Sequence, residues 1–156
     1  MGKKNFDYYI FVDYTEEFIG YHIIEREKIK DLIAKTSKIR HYKEVKHKKQ
    51  YLKAIKRIFE KNDVANYFRA FKIKKIWQNL EIFADIIEFI KSYKHYLIFI
   101  SIDDKHYSNF ERLVKVVDSN NIFLIKEGNL RKDSIEFKLS LIIDNLLNLE
   151  RTKNTK

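Results

Sequence analysis

The chain contains no cysteine and no proline, and only three glycines, one methionine and one tryptophan in 156 residues. Without cysteine there is no disulfide, no thiol nucleophile and no cysteine-bound zinc, so a metal would have to sit on oxygen or imidazole. With glycine confined to Gly2, Gly20 and Gly128, no glycine-rich phosphate loop can form, which argues against nucleoside-triphosphate hydrolysis of the usual kind. No apolar run reaches the roughly 18 residues of a membrane span, and MGKKNFDYY lacks the apolar stretch of a secretory signal. The expectation is a cytoplasmic protein with no membrane partner. His22, His41, His47, His95 and His106 show no metal-binding spacing such as His-Glu-x-x-His. His106, just after two acids, is placed to assist proton transfer, although such a residue also suits an ordinary polar surface.

What is present is a globular balance, 45% apolar and 35% charged. The length predicts a single domain over residues 1–150 and a frayed polar tail, RTKNTK, at 151–156. Lysine far outnumbers arginine, and Cys, Met and Gln are scarce. That bias resembles thermophilic or archaeal proteins, and an A·T-rich genome produces much the same one.

The net charge of +10 is concentrated: from Lys38 to Lys61 ten Lys or Arg stand against two Glu. A dense basic segment favours a polyanion by releasing condensed counterions, and nucleic acid, RNA or DNA, is the commonest such partner. Lys46, Lys48, Lys49, Lys53, Lys56 and Arg57 are the candidate contacts. Two plainer readings stand beside this one, a solvated lysine face and a basic surface for an acidic protein. Ten Tyr and twelve Phe supply a large core, and Tyr42, Tyr51, Tyr67 and Trp77 lie in or near the basic region, where bases could stack on them.

Hydrophobic periodicity predicts the order strand, strand, helices, strand, helix, strand, helix, strand, helix. Tyr8 to Asp13 is apolar on both faces until Asp13, as a central strand would be, and Phe18 to Ile24 returns beside it through Tyr14 to Glu17. Helices are expected near Arg26–Lys35, around Tyr51–Phe59, from Ile76 to Tyr93, through Tyr107–Val117 and from Asp133 to Glu150. Further strands are expected at NYFRAFKI, HYLIFISIDD and NIFLIKE. The class is α/β: a mixed sheet of about five strands, with an antiparallel opening hairpin and then strands alternating with helices that cover it.

Two of the most apolar strands end in acids, one in Asp13 and the other in Asp103 and Asp104. If they lie side by side and parallel, their carboxylates converge, and close carboxylates demand a proton or a cation. Mg²⁺ or Mn²⁺ takes such oxygen ligands, and a pair of ions about 3.5–4 Å apart can activate water and stabilise the leaving oxygen in phosphodiester cleavage. Acids in turns and helix caps are a competing explanation. Asp144 falls opposite the apolar stripe of the last helix, a position open to a ligand at the sheet rim or to plain solvent.

Element order and acids together resemble the ribonuclease H-like superfamily, and within it the uncharacterised domain of unknown function 3800 family. The family's first strand typically ends Asp-Glu-Ser-Gly, and FVDYTEEFIGYHII takes that place, with Asp13 matching the Asp and Tyr14-Thr15 standing for Glu-Ser. KEVKHKKQYLKAIKRIFEK, with Glu44, is similar to the family's Glu-containing segment before a helix. LIFISIDD is similar to its strand with a terminal acid, and SIEFKLSLIIDNLLNL to its closing helix, where SLII replaces Leu-Gln-x-Ala before the Asp. The resemblance implies a nuclease-type site of Asp13, Glu44, Asp103 or Asp104, and Asp144, with Mg²⁺ or Mn²⁺ held by the aspartates. A catalytically silent nucleic-acid-binding protein of the same fold is the alternative.

Overall fold

The computed structural model describes residues 8–15, 17–36, 39, 44–92, 96–101, 111–112, 122–126, 131 and 134–153. Its strands are β1 (Tyr8–Tyr14), β2 (Phe18–Glu25), β3 (Phe68–Lys75), β4 (Tyr96–Ser101) and β5 (Ile122–Lys126). The helices are α1 (Arg26–Lys35), α2 (Lys48–Lys61), α3 (Asn79–Ser92) and α4 (Ile135–Lys153). The sheet order is β3-β2-β1-β4-β5. β2 runs antiparallel to β1 and to β3, whereas β4 runs parallel to β1 and to β5. The α/β class and the opening hairpin agree with the pattern of apolar residues.

The hairpin forms because Thr15 organises its turn. The Thr15 hydroxyl accepts the backbone N–H of Phe18 at 3.1 Å and of Glu17 at 3.3 Å, while its own N–H donates to the Phe18 carbonyl at 2.8 Å. Gly20 sits opposite Asp13 because a Cβ there would lie 2.9 Å from Ile73 Cγ1 and 3.1 Å from the Lys72 carbonyl oxygen. The neighbouring strand and helix α4, whose Leu147 lies 3.5 Å from the same point, close over that spot.

Alternation along the strands divides the interior into two cores. On one face Tyr9, Phe11, Ile24 and Phe68 pack with Ile29 and Leu32 of α1, Ile55 and Phe59 of α2, and Leu139, Ile142 and Ile143 of α4. On the other, Ile10, Val12, Ile19, Tyr21 and Ile23 pack with Ile82, Phe83, Ile86 and Ile90 of α3. At the rim of that second face Lys72 pairs with Asp85 at 2.5 Å and Glu81 at 3.5 Å, and the Tyr21 hydroxyl donates to Asp85 at 3.1 Å. Burial, then the bond to Asp85, pushes the Tyr21 phenol up to about 12.

Three boundaries differ from the sequence expectation. β3 begins at Phe68 rather than Asn66 because residues 64–67 form a 3₁₀ turn, entered through Asp63 in the left-handed region at φ 50°. A second short turn at Ile76–Gln78 delays α3 to Asn79. α4 continues to Lys153 instead of fraying after Glu150: the Thr152 hydroxyl donates to the Leu149 carbonyl at 2.9 Å, and Arg151 Nε donates to Asn148 Oδ1 at 3.2 Å. At its other end the Ser134 hydroxyl caps the helix by accepting the Phe137 N–H at 3.1 Å. The helix expected through Tyr107–Val117 lies outside the described residues, apart from Glu111 and Arg112.

Candidate functional site

Asp13 is 9% exposed, and it shares the face of β1 that Tyr9 and Phe11 present to α1, α2 and α4. A carboxylate withdrawn from water is retained only with compensating hydrogen bonds or a cation. The strands whose ends carry the acids do lie side by side and parallel, with Asp13 in register with Ser101. Asp103 and Asp104 follow Ser101 by two and three positions and lie outside the described residues, as do His41, His95, His106 and Tyr42.

The other proposed acids are placed differently. Glu44 is exposed, ahead of α2. Asp144 is half-buried on α4, and Asn148 Nδ2 donates to its carbonyl at 2.8 Å and to its Oδ1 at 3.4 Å. Among the described residues no group of three or more His, Asp or Glu is close enough to hold a metal ion. Asp13, Glu44 and Asp144 therefore do not make a Mg²⁺ or Mn²⁺ site by themselves.

The described residues instead build a large cleft on the Asp13 face of the sheet. It measures about 1030 Å³. Lys48, Lys49, Lys53 and Lys56 of α2 form one wall, and Leu146, Leu149, Glu150 and Thr152 of α4 contribute another. The floor comes from β2 and β3 as His22, Phe68, Phe71 and Ile73. Cross-strand register explains that floor: Phe11, His22 and Phe71 form one row, and Asp13, Gly20 and Ile73 the next. The floor thus extends into the row that contains Asp13.

α2 supplies the basic wall because its pattern is strictly two-sided. Leu52, Ile55 and Phe59 are buried, whereas Lys46, Lys48, Lys49, Lys53, Lys56 and Arg57 are all exposed. Four of these six predicted contacts line the cleft; Lys46 and Arg57 do not. The first turn of α2 holds Lys48 and Lys49 and no acid, although the positive end of a helix dipole disfavours cations. Lys48 Nζ donates to the Val45 carbonyl at 2.8 Å, and Lys56 lies 4.0 Å from Glu60.

His22 is the unforeseen member. It is fully buried in the middle of β2, its ring lies flat against Phe71 (centroids 5.4 Å apart, planes 4° apart), and Phe68 meets it edge-on at 5.0 Å. Burial drives its pKa down to about 3, so the imidazole is neutral at pH 7. Its Nδ1 has no hydrogen-bond partner among the described residues. The only sequence signal was a lone polar residue inside the apolar run FIGYHII.

Of the proposed stacking residues, Tyr51 and Tyr67 are half-buried and pack against the first core. The Tyr67 hydroxyl is also engaged, donating to Asp31 and accepting from Lys35 Nζ at 2.6 Å. Trp77 is 76% exposed, beside β3 and outside the cleft.

No protein-family model and no curated protein matches the sequence. Among solved structures, the chain is similar to one described as the PCNA:RNase HII complex from Archaeoglobus fulgidus. The likeness has 10% identity and a TM-score of 0.49, and it covers 93% of this chain and 72% of that one. Among the described residues no helix is long and apolar enough to cross a membrane.

Proposed function

We propose that this domain binds nucleic acid along α2. One observation carries the reading: Lys48, Lys49, Lys53 and Lys56 line one wall of a single large cleft instead of scattering over the surface. Lys48 and Lys49 in the first turn of α2 support it, because lysines there work against the dipole and become favourable only when an anion is present. Phosphate contacts of this kind position a strand without reading its sequence.

Binding is expected to weaken steeply with salt, with a log–log slope of roughly −0.7 for each single-strand phosphate neutralised. Changing Lys49, Lys53 and Lys56 together to Gln should flatten the slope by roughly 2 and weaken binding to all sequences alike. Fluorescence anisotropy at several salt concentrations measures both. An unchanged slope in the triple variant would remove α2 from the interface.

A second reading adds catalysis. The ribonuclease H-like resemblance assigns nuclease acids to Asp13, Glu44, Asp103 or Asp104, and Asp144, with Mg²⁺ or Mn²⁺ among the aspartates. The parallel pairing of β1 with β4, which sets Asp13 in register with Ser101, favours it. The narrower kinship with the domain of unknown function 3800 family rests on the quoted sequence segments alone. In a Mn²⁺-supplemented assay on RNA, DNA and hybrid substrates, Asp13→Asn should abolish cleavage and leave salt-dependent binding intact. Equal cleavage by both proteins sinks the catalytic reading and leaves the catalytically silent binding protein.

A further inference from the structure

The floor of the lysine-walled cleft is not what a purely electrostatic strand-binding surface requires. Phosphates need cations, and the four lysines supply them. The floor between the walls carries Phe68 and Phe71, and Phe59, Leu146 and Leu149 line the cleft around them. Phe71 is 49% exposed, although its cross-strand partner His22 and the nearby Phe68 are buried. Next to it His22 contributes to the same floor, fully buried and with no partner for its Nδ1 among the described residues. The imidazole is closed off behind the Phe71 ring that stacks on it, so what the cleft offers a ligand is the exposed Phe71 ring, between lysines, and that points to a ligand with a flat apolar face and negative charge.

A nucleotide has both. The flat face of its base matches an exposed aromatic ring, and its phosphate matches the lysines. The cleft volume of about 1030 Å³ lies just above the roughly 300–1,000 Å³ usual for small-ligand pockets, large enough to admit a base with its sugar. Bases within a duplex are stacked and paired, so only a single strand, or an extruded nucleotide, presents one freely.

We infer that the cleft seats an unstacked base of a single-stranded nucleic acid on Phe71, beside His22, while Lys49, Lys53 and Lys56 hold the adjoining phosphates. This rests on the nucleic-acid reading above and deepens it: α2 sets the path of the strand, and β2 with β3 reads that a base is present. Sequence preference is modest under this arrangement, because every base has a π-face.

The test compares a fluorescein-labelled twelve-residue thymidine strand, a twelve-residue abasic sugar–phosphate strand and a twelve-pair duplex, bound to wild type, Phe71→Ala, Phe71→Trp and the triple lysine variant. Wild type should prefer the thymidine strand over the abasic one by roughly tenfold. Phe71→Ala should lose that preference and Phe71→Trp keep it, with duplex binding unchanged in both. Because Phe71 is half exposed, its truncation opens no core cavity, and matching unfolding midpoints will verify that the variants fold. Equal affinity of wild type and Phe71→Ala for the thymidine strand, with the lysine variant still impaired, overturns the base seat and leaves the phosphate path standing. Absence of salt-dependent binding to every strand overturns the nucleic-acid reading itself. Uptake of a fluorescent fatty acid in place of any strand would reassign the cleft.

Discussion

At the scale of single residues, His22 couples the cleft floor to acid stability. Its folded-state pKa of about 3 lies below the ordinary 6.5, so the unfolded chain takes up a proton more readily than the folded one. The neutral imidazole is accommodated without loss above pH 6.5, and stability falls as pH drops from there towards 3, by about 1.4 kcal/mol per pH unit. Between pH 6.5 and 4.5 wild type should therefore lose about 2–3 kcal/mol more than His22→Leu, as measured by urea unfolding at the two pH values. Parallel losses in the two proteins would show that the imidazole does not govern the acid limb. Asp13 was legible in the sequence as an acid closing an apolar strand. Its row with Gly20 and Ile73 was not, because register between strands separated by some sixty residues is set by packing and leaves no local mark. His22 escaped for a related reason: a lone histidine in a strand reads the same whether it faces solvent, a core or a cleft.

Among the elements, α2 shows a conflict between local stability and use. Lys49 occupies the second helical position, where the dipole favours an acid. Lys49→Glu should raise helix stability by roughly 0.3–1 kcal/mol and weaken strand binding at the same time. Thermal unfolding and anisotropy on one preparation would show the opposed changes; a loss in both would mean the lysine also supports the fold. The amphipathic stripe of α2 and most of α1 could be read directly from spacing. The start of β3 could not, since the 3₁₀ turn at residues 64–67 has no spacing of its own and borrows two residues that alternate like a strand. α4 also ran further than its composition suggested: its polar end is held by Arg151 and Thr152 bonding back to Asn148 and Leu149, and such bonds cannot be read from residue type. Asn145 and Asn148, both buried on α4, were likewise hidden behind the apolar stripe around them.

For the whole molecule, the sheet separates two cores that share no side chain among the described residues. Ile86→Ala on the α3 side and Ile142→Ala on the α4 side each remove a fully buried branched side chain and should cost roughly 2–5 kcal/mol. Because the strands stand between them, the double variant should lose the sum of the single losses to within about 0.5 kcal/mol. A markedly larger or smaller combined loss in denaturant unfolding would mean that the sheet transmits strain between its faces. The α/β class was legible because strands apolar on both faces alternate with amphipathic helices. Which side each helix covers was not, since that depends on crossovers rather than periodicity.

The order of the strands leaves β3 at one margin of the described sheet, with its outer backbone groups unmatched by another strand. Arg69, Lys72, Lys74 and Lys75 stud that strand, with Glu25, Asp85 and Glu81 set against the first three. A strand so dense in charged side chains discourages the sheet from extending into a neighbouring molecule, because pairing there would bring these ion pairs out of water.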